Sequence, residues 1–196
     1  MEKIEFTNSQ LNFYNRKRDE SKEMSSGNNN YMFYYRGFDA LKLNKEVIDN
    51  FGDYTLIPGW VESCRGVCEE LDKNRSSLPK VVVPKKLVLY EDHYIGNVQS
   101  YYYEYYAIEK ALRRGELSLE QRKLLLRKVK DILQSLKDCG FCYTDIHTEN
   151  YIINRDLDVL QVDVDDANFI HPLTKENEKW IDNEYENFRE DVLRRK

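Results

Sequence analysis

No apolar run in this 196-residue chain approaches the ~20 residues that a membrane-spanning helix needs. The opening residues, MEKIEFTNSQ, lack the apolar core of a secretory signal. Basic excess is missing as well. The formal net charge is −5, which leaves no cationic surplus to displace counterions from a nucleic acid. No internal repeat is present. These absences set the expectation of a soluble cytoplasmic protein with neither membrane nor nucleic acid as partner. The remainder is ordinary for a globular chain, 41% hydrophobic and 33% charged rather than disordered or fibrous. The length suits one compact domain or two small lobes sharing a cleft.

The four cysteines form two close pairs, Cys64-x3-Cys68 and Cys139-x2-Cys142, so a four-thiolate zinc site is arithmetically possible. The simpler reading is packing. Cys64 and Cys68 lie four apart on an expected helix, on the face of Val61 and Leu71, where a free thiol behaves as a small hydrophobe. Cys139-Gly-Phe-Cys142 has the form of a redox dithiol, but it follows a long helix rather than opening one.

Residues 1 to about 23 hold too few apolar side chains for a core of their own. The stretch MSSGNNNYMFYYRGFDALKL reads as a β-hairpin behind a flexible small-polar loop. A helix is expected over about 59–73. Pro79 to Tyr90 and Tyr94 to Tyr103 read as two strands joined at Glu91-Asp92-His93. Glu104 to Arg114 reads as a helix stopped by Gly115. Ser118 and Gln121 then form a capping box, followed by the apolar stripe Leu125, Val129, Ile132, Leu133 and Leu136 and a stop at Gly140. A short hairpin at about 151–164 precedes a final helix from about Lys175, with Ile181, Tyr185, Phe188 and Val192 on one face. Strands early and helices late make the class α+β in two lobes.

Two places carry candidate chemistry. In Phe38-Asp39-Ala40-Leu41-Lys42-Leu43, strand alternation sets Lys42 on the face of Phe38 and Ala40, opposite Leu41 and Leu43. The strand alone favours an edge position with the amine in water; the alternative is a cleft with an anionic partner, since burial without one is costly. In YTDIHTENYIINRDLDVLQVDVD, alternation puts Leu160, Val162 and Val164 on one face, and Gln161, Asp163 and Asp165 on the other. A hairpin symmetric about Asp156 and Leu157 sets Asn150 opposite Asp163, with Cβ atoms ~5 Å apart. A hard cation such as Mg²⁺ takes carboxylate, amide and phosphate oxygens, and Asp145 lies on the loop entering the same site. The flanking runs Tyr151-Ile152-Ile153 and Val159-Leu160 are apolar, so the hairpin looks buried while its acidic face persists.

Asp145-Ile-His-Thr-Glu-Asn150 resembles the D-x4-N catalytic loop of the protein-kinase superfamily, and Val162-Asp163-Val164-Asp165 resembles its metal-binding D-F-G element. The form D-x-H-x-x-N is closer to aminoglycoside-phosphotransferase-like and bacterial kinase-like proteins than to eukaryotic protein kinases. Ser25 to Asn30 resembles a reduced glycine-rich loop, and Asp39-Ala40-Leu41-Lys42 resembles V-A-I-K. VVVPKKLVLYEDHYIGNVQSYYYE resembles the strand pair and hinge that follow the C helix. The resemblance spans about residues 22–166. It implies a small β-rich N-lobe over 22–103 and a truncated, mostly helical C-lobe over 104–196. It implies ATP and Mg as cofactors, and a small-molecule or protein hydroxyl as phosphate acceptor. By the same resemblance Asp145 is the catalytic carboxylate and Lys42 grips phosphates, oriented by Glu62, with Glu69 and Glu70 as alternatives. Asn150 and Asp163 hold the metal, while Gly27, Ala40, Ser100 and Tyr102 line the nucleotide. Three departures stand out. The phosphate loop has one glycine, Tyr143 and Thr144 replace the His and Arg before the catalytic Asp, and only 33 residues follow Asp163. The expected activity is an ATP-dependent phosphotransferase; the alternative is a pseudokinase that binds nucleotide or a partner without turnover.

Overall fold

The structure, a computed structural model, describes residues 1–18, 30–50, 59–165 and 167–194. It is α+β, with six α-helices among the described residues. The chain divides into two compact units, one comprising Met1–Lys73 and Val83–Tyr102, the other Asn74–Val82 and Tyr103–Lys196.

The first unit is built on a five-stranded sheet. Its strands are β1 (Glu2–Glu5), β2 (Asn30–Tyr34), β3 (Asp39–Asn44), β4 (Lys86–Tyr90) and β5 (His93–Ser100), in the order β1-β4-β5-β3-β2. β1 runs parallel to β4 and the other pairings are antiparallel. The unit also holds the helices α1 (Asn8–Arg16), α2 (Lys45–Asp49) and α3 (Gly59–Lys73). Both faces of the sheet are covered, which is why β4 is buried almost throughout instead of alternating. Leu41, Leu43, Val88, Ile95 and Val98 pack with Leu11 of α1 and with Val47 and Ile48 of α2. Leu87, Leu89 and Tyr94 meet Val61, Cys64 and Cys68 of α3.

The first residues join this sheet rather than forming a core. Thr7 and Gln10 make a reciprocal capping box on α1, and Phe6 and Leu11 enter the sheet's core at 3% and 2% exposure. Cys64 and Cys68 are packing residues, as their spacing implies: the Cys64 thiol donates to Trp60 O, and the Cys68 sulfur lies 3.7 Å from Tyr94 Oη. Gly96 is required by contact, since a Cβ there would meet Lys42 O.

The second unit holds β6 (Tyr106–Ala107), α4 (Ile108–Arg113), α5 (Leu119–Asp138), β7 (Phe141–Cys142), β8 (Tyr151–Ile153), β9 (Val159–Gln161), β10 (Asn168–Phe169) and α6 (Lys175–Arg194). β6, β8 and β9 form one small sheet in that order, and β10 pairs with β7. α5 begins at the Ser118–Gln121 capping box and buries the apolar stripe read from the sequence. It ends before Gly140, whose φ of +87° suits the stop. α6 buries Ile181, Tyr185, Phe188 and Val192. Its Tyr185 hydroxyl donates to Leu126 O of α5 at 3.0 Å, and the buried Arg122 of α5 donates to Val192 O at 3.3 Å.

The structure corrects three expectations. The strand expected from Pro79 forms only from Lys86; upstream, Val81 makes a single bridge to Gln161. The hairpin register is shifted by one. Tyr151, Ile152 and Ile153 face Gln161, Leu160 and Val159, so Val162 rather than Asp163 lies opposite Asn150. Leu157 causes the shift. It takes φ +58° and closes a three-residue loop, while the Asn154 side chain accepts from the amides of Asp156 and Asp158. Finally, β9 ends at Gln161, so the alternation expected to carry Asp163 and Asp165 on one face does not extend that far.

Candidate functional site

The loop from β7 to β8 carries a dense polar constellation in the second unit. It is held from outside by α4, whose first turn lacks a side-chain cap and whose Glu109 N–H donates to Thr148 O at 3.2 Å. From inside, Asn150 N–H donates to His147 O and Asn150 O accepts from Val162 N–H at 2.9 Å, which ties the loop to the strand leading to Asp163.

Asn150, 5% exposed, aims its amide nitrogen at three oxygens: Tyr143 Oη at 2.8 Å, Asp145 Oδ2 at 2.7 Å and Asp145 O at 3.0 Å. The same nitrogen lies 3.2 Å from His147 Nε2. His147 Nε2 in turn lies 3.1 Å from Asp145 Oδ1. The Asp145 carboxylate is thus clamped through both oxygens, yet its side chain keeps 49% exposure. The hydrogen bond from His147 holds its pKa below the usual carboxylate value, against the opposing effect of burial. The Asp145 bond raises the His147 pKa above the ordinary value, with further help from the negative charges of Glu149 and Asp163. Asp163 therefore acts on the same imidazole as Asp145. It is half-buried and takes φ +61°, in the left-handed region that Asp tolerates better than most residues.

Chemically, the loop presents an ionised, oriented and accessible carboxylate. Such a group can accept a hydrogen bond from a hydroxyl and hold it in place. The Asn150 nitrogen faces Tyr143, Asp145 and His147, so the Asn150 oxygen and the half-buried Asp163 carboxylate are the oxygen donors here that would suit a hard cation. Among the described residues, no cluster of three or more His, Cys, Asp or Glu side chains could hold a metal by itself.

Those of the expected nucleotide residues that are described belong to the first unit. Lys42, on β3 across from Asn97, is 5% exposed, which overturns the solvent-facing reading of the strand alone. Ala40, on the same face, is fully buried, and Ser100 pairs with Asp39 across the sheet. Tyr102 is half-buried. Glu62 does not match the expectation of a lysine-orienting glutamate: one of its oxygens pairs with Arg65 at 3.1 Å and the other accepts Tyr94 N–H at 2.9 Å. Glu69 pairs with Arg65 and Lys3, and Glu70 with Lys73. Gly27 lies outside the described residues. His147 and Tyr143 are the neighbours of Asp145 and Asn150 to which the sequence reading assigned no role. The two-residue spacing of Asp145 and His147 was visible, but the clamp depends on how the loop folds back through Asn150. No protein-family model matches the chain, and no curated protein matches it in sequence.

Proposed function

We propose that this chain is a phosphotransferase that uses ATP and Mg²⁺ to phosphorylate a hydroxyl of a small molecule or a partner protein. We read its two units as the N-lobe and C-lobe of a kinase-like fold. The observation that supports this most is the clamp on Asp145, in which Asn150 and His147 hold an exposed carboxylate at fixed orientation five residues from the amide that holds it. In this reading Asp145 accepts the hydrogen bond of the acceptor hydroxyl and aligns its oxygen. Its lowered pKa suits orientation better than strong general-base work. The Asn150 amide oxygen and Asp163 would hold Mg²⁺, which supplies charge neutralisation of the phosphates when bound. Lys42, a buried cation on β3, would bind the α- and β-phosphates. Phosphoryl transfer depends mainly on positioning and charge neutralisation, so this small set can suffice.

A second reading, a pseudokinase that binds nucleotide without turnover, draws on one specific observation. Glu62 is engaged with Arg65 and Tyr94 rather than orienting Lys42. Binding and phosphoryl transfer, measured side by side on two variants, separate the readings. Asp145→Asn should keep nucleotide affinity within a few fold and lower transfer by about 10² to 10⁴. Lys42→Ala should lower both. Nucleotide binding with no transfer in the wild type would favour the pseudokinase, and unchanged transfer in Asp145→Asn would refute the role of Asp145.

A further inference from the structure

Along α5 the second unit carries a groove that the Asp145 loop does not use. One compartment is a pocket of about 180 Å³ with an apolar floor, formed by Leu78 and Val81 from the segment preceding β4, Ile132 of α5 and Val159 of β9. A second, more polar compartment of about 450 Å³ opens beside it and is lined in part by Asp138, Cys139 and His171. Ser135 lines both, so the two are continuous along one helix. From Asp131 to Cys139 the helix advances ~12 Å, at 1.5 Å per residue. That is the reach of about four residues of extended chain.

Size and charge select the occupant. The apolar compartment is smaller than the ~300–1,000 Å³ typical of sites for whole small-molecule ligands, and the two compartments are strung along one helix rather than gathered into a single cavity, which suits an extended chain. Its two cations are already engaged. Lys80 pairs with Asp158 at 2.7 Å, and Lys128 donates to Leu157 O at 2.6 Å. Asp158 is matched by Lys80 and also accepts from Tyr105 at 3.2 Å. Along the rim, Asp131 and Asp138 are exposed on the open face of α5. Asp138 accepts from the neutral Gln134 amide, at 2.8 Å. The lining thus sets three carboxylates, Asp131, Asp138 and Asp158, against two lysines, so the groove offers an apolar hole next to an excess of negative charge that is greatest toward Asp138, away from Lys80 and Lys128.

We propose that this groove docks an extended peptide segment of a partner protein. An aliphatic side chain fills the apolar compartment, and a Lys or Arg two to four residues away lies against Asp131 and Asp138. This docking does not depend on the phosphotransferase reading, because none of its residues belongs to the Asp145 loop.

The test is selection from a random decapeptide library displayed on phage against the full chain, followed by anisotropy titration of the enriched fluorescein-labelled peptide. The expected result is enrichment of Leu, Ile or Val at one position, with Lys or Arg two to four residues away. The double variant Asp131→Lys/Asp138→Lys, at exposed positions, should weaken that peptide at least about tenfold at low salt, and less at high salt where exposed charges are screened. Ser135→Arg, which plugs the shared wall, should abolish binding; if it also lowers the melting temperature, the double variant carries the test alone. Asp156→Lys, in the exposed hairpin turn, is the control that should change nothing. Failure to enrich any apolar-basic pattern overturns the proposal, as does an enriched peptide indifferent to the double variant. Self-association of the chain that Ser135→Arg abolishes would assign the groove to a second copy and overturn it as well.

Discussion

The contact between His147 and Asp145 can be followed by titration. Asp145 has a lowered pKa, so its contribution to stability is present above the ordinary carboxylate value and lost as pH falls through the lowered one. His147 has a raised pKa, so its contribution is present below the ordinary imidazole value and lost as pH rises through the raised one. The pair is therefore at full strength between about pH 4 and about pH 6.5. Both side chains are about half exposed, so solvent screens the interaction. Asp145→Asn should move the His147 titration, followed by NMR, down toward the ordinary imidazole value; an unmoved midpoint would mean that Asp145 is not its main partner. A second residue-scale prediction concerns Gln161, which is fully buried and directly opposite Tyr151. Neither of its side-chain polar atoms nor the Tyr151 hydroxyl has a hydrogen-bond partner among the described residues. Leaving a buried polar group unpaired costs about 1–3 kcal/mol, whereas an apolar replacement of similar shape escapes that cost. Gln161→Met should therefore be neutral or stabilising in denaturant unfolding, and a loss above about 1 kcal/mol would show that the amide is satisfied after all.

At the level of elements, the β4–β5 hairpin turns on Glu91 and Asp92, both at positive φ (+50° and +64°), the geometry of a type I′ turn without its preferred residues. Neighbours hold it in place. Arg65 of α3 donates to Asp92 O at 3.0 Å, and Glu5 accepts Asp92 N–H at 3.3 Å. Because those bonds are to the Asp92 backbone, Glu91→Asn with Asp92→Gly keeps them while relieving the left-handed strain. The double variant should gain about 0.5–1 kcal/mol in denaturant unfolding without a change in m-value. Unchanged or lower stability would show that the lost carboxylate contacts, Asp92 at 3.7 Å from Arg65 and Glu91 with Tyr90, contribute more than the strain costs.

For the whole chain, the nucleotide reading has a direct thermodynamic consequence. A ligand bound only by the folded state stabilises by RT ln(1 + [L]/Kd), about 2.7 kcal/mol at one hundred times Kd. ATP with Mg²⁺ should therefore raise Tm. Asp163→Asn should reduce that response more than Asp165→Asn, because Asp163 is the more accessible carboxylate while Asp165 is 8% exposed. Asn also tolerates the left-handed region, so the Asp163 variant tests charge rather than backbone strain. No shift at millimolar ATP and Mg²⁺ would refute nucleotide binding by the isolated chain, and a larger effect from Asp165→Asn would move the cation site.

Local chemistry alone determined much of this protein. The Ser118–Gln121 box starts α5 and Gly140 ends it, and the stripe Ile181, Tyr185, Phe188 and Val192 defines the buried face of α6, because caps and 3.6-residue periodicity act within a few residues of the chain. The closeness of Asp145 and Asn150 was legible for the same reason, being five residues apart on one loop. Tertiary structure decided what the chain could not specify over short range. Strand alternation left the amine of Lys42 free to lie in water or in the interior; it is buried because neighbouring strands and helices cover both faces of the sheet. Sequence interval favoured Glu62 over Glu69 and Glu70 as the partner of Lys42, but helix neighbours Arg65 and Lys73 and, across space, Tyr94 and Lys3 engage these glutamates. The register of β8 and β9 turned on a single left-handed residue, Leu157. Side-chain identity predicts such a φ poorly, because for a residue other than glycine the surrounding fold must stabilise it.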